Sequence, residues 1–181
     1  MAAIIARTHG ENGVQDIMDV LSVVEKRKHK FLNFDMYRAA SSALARAGGG
    51  TIELAAVAEM FEGLVAREEK ELWRDGEAGV LDLHELNVPL SLGAVVAGLK
   101  RAEEEGLSKL TIILGSMRKE GGVNGNVRTL LERAGCQEGH EWFVKDERNQ
   151  GRVDIDGKVG IKMVSEKVGT VVEEGRYKLV M

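Results

Sequence analysis

Two short apolar runs constrain the fold of this chain most: Val80-Leu81-Asp82-Leu83-His84, and further along Leu110-Thr111-Ile112-Ile113-Leu114-Gly115. Each is a strand-length run that ends in polar or glycine residues and then leads into a stretch with helical spacing. Together they predict a β-α-β-α unit whose functional groups gather on one edge, where a ligand would meet the protein.

The flanking sequence extends this reading. Pro89 to Glu105 reads as a helix with proline in its first turn and Gly106 beyond its end. Leu110 to Leu114 reads as a strand buried on both faces. Residues 126–134, with Val127, Leu130, Leu131 and Ala134 on one face, read as a second helix stopped at Gly135. Trp142-Phe143-Val144, Arg152 to Ile155, Lys158 to Val164 and Tyr177 to Met181 read as later strands, with Asp156-Gly157 as a hairpin turn.

Residues 1–75 differ, with no proline and with helical spacing interrupted by glycine. Val14, Ile17, Met18, Leu21 and Val24 share one helical face, and Leu54, Val57, Ala58, Phe61, Leu64 and Val65 another. Between them Asp35 to Ala47 forms an alanine-rich helix closed by Gly48-Gly49-Gly50. The expected fold is α+β: helical hairpins over residues 1–75, then a β-α-β-α-β-β two-layer α/β sandwich over residues 76–181.

At 181 residues and 44% hydrophobic, the chain is long and apolar enough to bury a core. A formal charge of −4 argues against a protein that coats nucleic acid by bulk electrostatics, so any such role rests on a local basic patch. With Cys136 as the only cysteine, neither an intramolecular disulfide nor a cysteine-rich zinc site is available. No run approaches the ~18 apolar residues that cross a bilayer, and the first residues lack the apolar core of a signal peptide; no membrane partner is expected.

Asp82 and His84 stand two apart at a strand end and would project to the same side. A carboxylate beside an imidazole can bind a metal, orient water or shuttle a proton near neutral pH. Equally, the aspartate can cap the following turn and the histidine can bond to the backbone. The loop from Gly115 to Gly125 leads from a strand to a helix. Its glycines Gly115, Gly122 and Gly125 let backbone approach a ligand, Ser116, Arg118 and Lys119 offer polar and positive groups, and the helix start favours an anion. It is neither a Walker loop nor a dinucleotide fingerprint, and a mobile glycine linkage is the alternative. The strongest basic run is Lys26-Arg27-Lys28-His29-Lys30, either a phosphate contact or solvated surface.

Taken together, the Asp-Leu-His strand, the helix, the glycine-ended second strand and the basic loop resemble a small MutS-related (Smr) domain over residues 79 to about 165. More specifically, they resemble the variety attached to pentatricopeptide repeats in plant and algal proteins. Asn149-Gln150-Gly151-Arg152 resembles that variety's Asn-x-Gly-Arg element. Tyr37, Ala43, Leu44, Ala47 and Gly48 resemble the first helix of a pentatricopeptide repeat, and Ala3-Ile4-Ile5 ahead of Gly10 the end of an earlier one. The repeat resemblance places Asn33 near a base-reading position and Arg38 near a second.

The resemblance implies binding of single-stranded RNA ahead of DNA, in organellar and more specifically chloroplast gene expression. It also implies candidate roles for Asp82 and His84 in metal-assisted or acid-base phosphodiester cleavage, with a Mg or Mn ion if the domain is a nuclease, and for Gly115 and Arg118 in holding phosphate. This chain departs from the family in having Leu114-Gly115-Ser116-Met117 where Thr-Gly-x-Gly is usual, and in Glu85 beside the histidine. Those departures favour binding over catalysis. A third expectation is a non-catalytic scaffold in a ribonucleoprotein or transcription complex.

Overall fold

The computed structural model describes Asp19, residues 33–115, 122–136 and 151–180, and the backbone of 143–144. It is a mixed α and β structure with five α-helices and two small sheets among the described residues. In chain order, α1 (Phe34–Ala47) is followed by β1 (Thr51–Ile52), α2 (Leu54–Ala66) and a 3₁₀ turn (Arg74–Gly76). Then come β2 (Val80–Asp82), α3 (Val88–Glu104), β3 (Lys109–Ile113), α4 (Val123–Arg133), β4 (Phe143–Val144), β5 (Arg152–Asp156), α5 (Lys158–Glu173) and β6 (Tyr177–Lys178).

The larger sheet has the order β2-β3-β5-β4, with β2 parallel to β3 and the other pairs antiparallel. Alternation along the strands divides its faces. Leu81, Ile112 and Val153 lie side by side in register, as do Leu110 and Ile155, and all five are buried. They join α3, α4 and α5 in one hydrophobic core. The opposite face carries Asp82, Lys109, Thr111, Arg152, Asp154 and Asp156. There Thr111 Oγ1 donates to Asp154 Oδ1 at 2.7 Å and Arg152 Nε donates to the same oxygen at 2.8 Å. Thus β3 is covered on both sides at Thr111, as its apolar run suggests, but one cover is a polar network.

The segments before and after residue 75 share that core. Tyr37, Leu44, Val57 and Phe61 belong to the same cluster as Leu81 and Ile155. The second sheet joins β1 to β6 antiparallel, Ile52 opposite Tyr177, so the end of the chain pairs with the helical region. Asn87 makes a second tie. As N-cap of α3, its Oδ1 accepts from Leu90 N at 3.3 Å, while Nδ2 reaches the Arg38 carbonyl at 2.9 Å and Ser42 Oγ at 2.7 Å on α1. Asn87→Ala removes cap and tie together, and urea denaturation is expected to register a loss of about 2–3 kcal/mol.

The structure corrects one stretch. Lys158 to Val164, expected as a strand after a hairpin at Asp156-Gly157, is the start of the sixteen-residue helix α5, and Gly157, at φ 79°, turns β5 directly into it. Val159, Ile161 and Met163 mimic strand alternation, but Ile161 is fully buried whereas Val159 is 71% exposed. The buried residues are Gly160, Ile161, Val164, Val168 and Val171, a helical stripe. Tyr177-Lys178 pairs in the small sheet and not in the larger one, and α4 begins at Val123, three positions ahead of its expected start, so Gly125 lies inside the helix.

Candidate functional site

β2 and β3 run parallel as neighbours, so their carboxyl ends emerge together, and the loops that leave them lead into α3 and α4. Groups from the two strand ends can therefore meet one ligand there. Asp82 ends β2, partly buried, and His84 follows in the turn, exposed. The turn is sharp, with Glu85 in the left-handed region at φ 70° and Leu86 N bonded to the Leu83 carbonyl at 3.2 Å. It folds His84 back onto Asp82. Asp82 Oδ1 accepts from the His84 backbone N–H at 2.9 Å and lies 2.6 Å from Nδ1. The aspartate thus caps the turn, as the structural reading expects, and its oxygen also lies against the imidazole, which among the described residues no backbone group holds.

Burial alone would raise the Asp82 carboxyl. The hydrogen bonds from His84 and the positive charge of Arg74, whose Nη1 is 3.6 Å from Oδ2, outweigh it and hold the carboxyl below the ordinary aspartate range. An ionised carboxylate only accepts, so Nδ1 is the donor and Nε2 is the nitrogen left to give or take a proton. Gly115, at φ 76° just past β3, completes the edge. A Cβ there would lie in van der Waals contact with His84 Nε2, at 3.5 Å, and the positive φ strains any residue with a side chain.

Asn124 on α4 fixes the glycine from the other side, its Nδ2 donating to the Gly115 carbonyl at 3.3 Å while Arg128 Nε donates to Asn124 Oδ1 at 2.8 Å. Gly122 is the N-cap of α4 and offers no side chain to the first turn. The structure thus brings together Asp82, His84 and Gly115. Asn33 is the N-cap of α1, its side chain accepting from Met36 N at 3.2 Å, and Arg38 lies over the Phe34 ring at 5.5 Å. Ser116, Arg118, Lys119, Lys26, Arg27, Lys28 and Lys30 lie outside the described residues, as do Asn149 and Gln150.

No family model, curated protein or solved structure matches this chain. The site therefore stands on its own chemistry. Sequence reasoning missed Lys70, Arg74, Asn124 and Arg128. Lys70 Nζ lies 3.6 Å from Glu85 Oε2 and so offsets the charge beside His84. The only signal for these residues was basic or amide character, which is common on any surface. Among the described residues no group of three or more His, Cys, Asp or Glu side chains could hold a metal ion. A cleft of about 880 Å³ opens between α2, α3 and the linker after α2, lined by Phe61, Val65, Trp73 and Ala97 among others, and contains neither Asp82 nor His84.

Asp154, on the polar face, is also held below its ordinary range: burial opposes, and the hydrogen bonds from Arg152 and Thr111 with the charge of Lys109 prevail. Both depressed carboxyls favour the folded state at pH values above the unfolded aspartate pKa of about 3.9, and this contribution is lost as pH falls through their lower folded values. Acid titration followed by circular dichroism should therefore show stability falling below about pH 4, with a shallower slope in Asp154→Asn.

Proposed function

We propose that this protein is an Smr-like nucleic-acid-binding protein, with RNA preferred to DNA, that meets the phosphodiester backbone at the edge formed by His84, Gly115 and the start of α4. The observation that carries the reading is the meeting of Asp82, His84 and Gly115 at the carboxyl ends of adjacent parallel strands. Two others support it. Residues 80–156 run β-α-β-α-β-β, the order expected for residues 76–181, although α5 and β6 follow in place of an end to the domain, and Lys70 offsets the nearby charge of Glu85. A role in chloroplast or other organellar gene expression follows from the resemblance alone.

A gel-shift titration against single-stranded RNA at several salt concentrations tests this. Saturable binding near physiological salt is expected, weakening linearly on a log–log plot as salt rises. No saturable binding there would sink the reading. Gly115→Ala puts a methyl group against Nε2 and should weaken binding markedly.

The 2.6 Å contact between Asp82 and His84 favours a second reading, phosphodiester cleavage. In it Asp82 orients the imidazole, and Nε2 exchanges a proton with the attacking or leaving oxygen. His84→Ala should lower the rate of RNA cleavage by at least about 100-fold. An unchanged rate in that variant would assign the activity to a contaminant.

A further inference from the structure

The segment joining α2 to β2 precedes the Smr-like stretch, yet it sends one cation toward each acid that flanks His84: Lys70 to Glu85 and Arg74 to Asp82, both at 3.6 Å. Arg74 is held for this. It opens the 3₁₀ turn Arg74–Gly76, which is closed by Glu77 N bonded to the Arg74 carbonyl at 2.8 Å. Its neighbour Trp73 is tied to the C-cap of α3, with Nε1 donating to Glu105 Oε2 at 3.3 Å. Asp75 occupies the left-handed region at φ 52°, a conformation that costs a non-glycine residue free energy. Its Oδ2 accepts from Arg74 Nε at 3.3 Å. The guanidinium is therefore braced on one side by Asp75 and directed on the other to Asp82 Oδ2.

We propose that Arg74 is a positioning residue for the Asp82–His84 pair, and this rests on the cleavage reading above. The division of the Asp82 oxygens is the reason. Oδ1 receives both the backbone N–H and the ring of His84, whereas the contact of Oδ2 is with Arg74. A positive charge beside Oδ2 biases rotation about the Cβ–Cγ bond toward the orientation that presents Oδ1 to His84. Arg74 thereby keeps Oδ1 aimed at Nδ1, which holds the proton there and leaves Nε2 as the working nitrogen. A carboxylate behind an imidazole fixes tautomer and orientation in this way.

The test uses the full chain with Arg74→Gln and Arg74→Lys. Nitrogen chemical shifts of the His84 ring, identified by its loss in His84→Ala, report the tautomer in alkaline solution. The wild type is expected to be mainly Nδ1–H, Arg74→Gln to shift substantially toward Nε2–H, and Arg74→Lys to stay near the wild type. In RNA cleavage, Arg74→Gln should lose about tenfold or more in kcat with KM within about twofold, partly restored in Arg74→Lys. An unchanged tautomer in Arg74→Gln overturns the proposal. So does a raised KM at constant kcat, which would make Arg74 a phosphate contact. If the tautomer shifts while even the wild type fails to cleave RNA, Arg74 positions the pair and the cleavage reading alone falls.

Discussion

Gly93→Ala should cost about 3 kcal/mol or more of folding free energy, visible as a large fall in the urea midpoint. Gly93 lies in α3 where that helix crosses α2. A Cβ there would sit 2.2 Å from the Val57 carbonyl oxygen, 2.5 Å from its carbon and 2.9 Å from Ala58 N. All three atoms are backbone, so nothing can swing aside and the helices must separate. Separation would loosen the contacts of Leu54, Val57 and Phe61, which are buried in the shared core. Gly98 on the same helix is the control, because its added Cβ would meet the flexible end of Leu81, Cδ2 at 2.9 Å. Alanine there also gains helix propensity, so Gly98→Ala should cost about 1 kcal/mol or less. Equal tolerance of both substitutions would contradict the close crossing of α2 and α3.

Tyr177→Ala is expected to cost about 3–5 kcal/mol, the range for emptying a large buried aromatic site. Its ring is fully buried, pairs through its backbone with Ile52, lies under the Arg133 guanidinium at 4.8 Å, and ends in a hydroxyl that donates to the Asn126 carbonyl at 3.0 Å. Tyr177→Phe keeps the packing and loses only the hydrogen bond, about 1 kcal/mol. Burial pushes the Tyr177 hydroxyl up to about 12; the charge of Arg133 lowers it and Glu132 adds to the rise. Because the folded value lies above the unfolded value of about 10, the contribution is fully present below pH 10. It is lost as pH rises through the folded value, on the order of 2–3 kcal/mol in all. Chemical denaturation at intervals between those pH values should show this loss in the wild type, with the Tyr177 share missing in Tyr177→Phe. A parallel decline in both would place the alkaline transition elsewhere.

These two positions show where the sequence was readable. Pro89 in the first turn and Gly106 beyond the end marked α3, and periodicity placed α2, where Leu54, Val57, Phe61 and Leu64 are all buried. It did so because burial of one helical face writes a local 3.6-residue pattern. The same logic misread Lys158 to Val164: Val159 and Met163 are apolar yet exposed, so a false period of two overlay the true helical stripe. The strand of Tyr177-Lys178 was legible, but its partner Thr51-Ile52 was not, since pairing between distant segments leaves no mark in either one.

At the site, Asp82, His84 and Gly115 could be singled out because each is defined by residue type next to a strand end. Their contact required the left-handed turn at Glu85 and the glycine conformation at Gly115. Lys70, Arg74, Asn124 and Arg128 could not be found in advance, because ordinary surface residues acquire roles only from what the fold sets opposite them.

The sequence by itself determined the strand-helix alternation from Gly79 to Gly135, the two helices described before it, α1 and α2, and the two residues that face each other across the Asp-Leu-His turn. Those are local properties, set by side-chain periodicity and by spacing along one backbone. Only the tertiary structure decided that the helical region and the α/β region share one core, that β6 returns to β1, and that Arg74 reaches Asp82. Such contacts join segments far apart in the chain, and they are settled by which buried surfaces and charges fit together once the whole chain has packed.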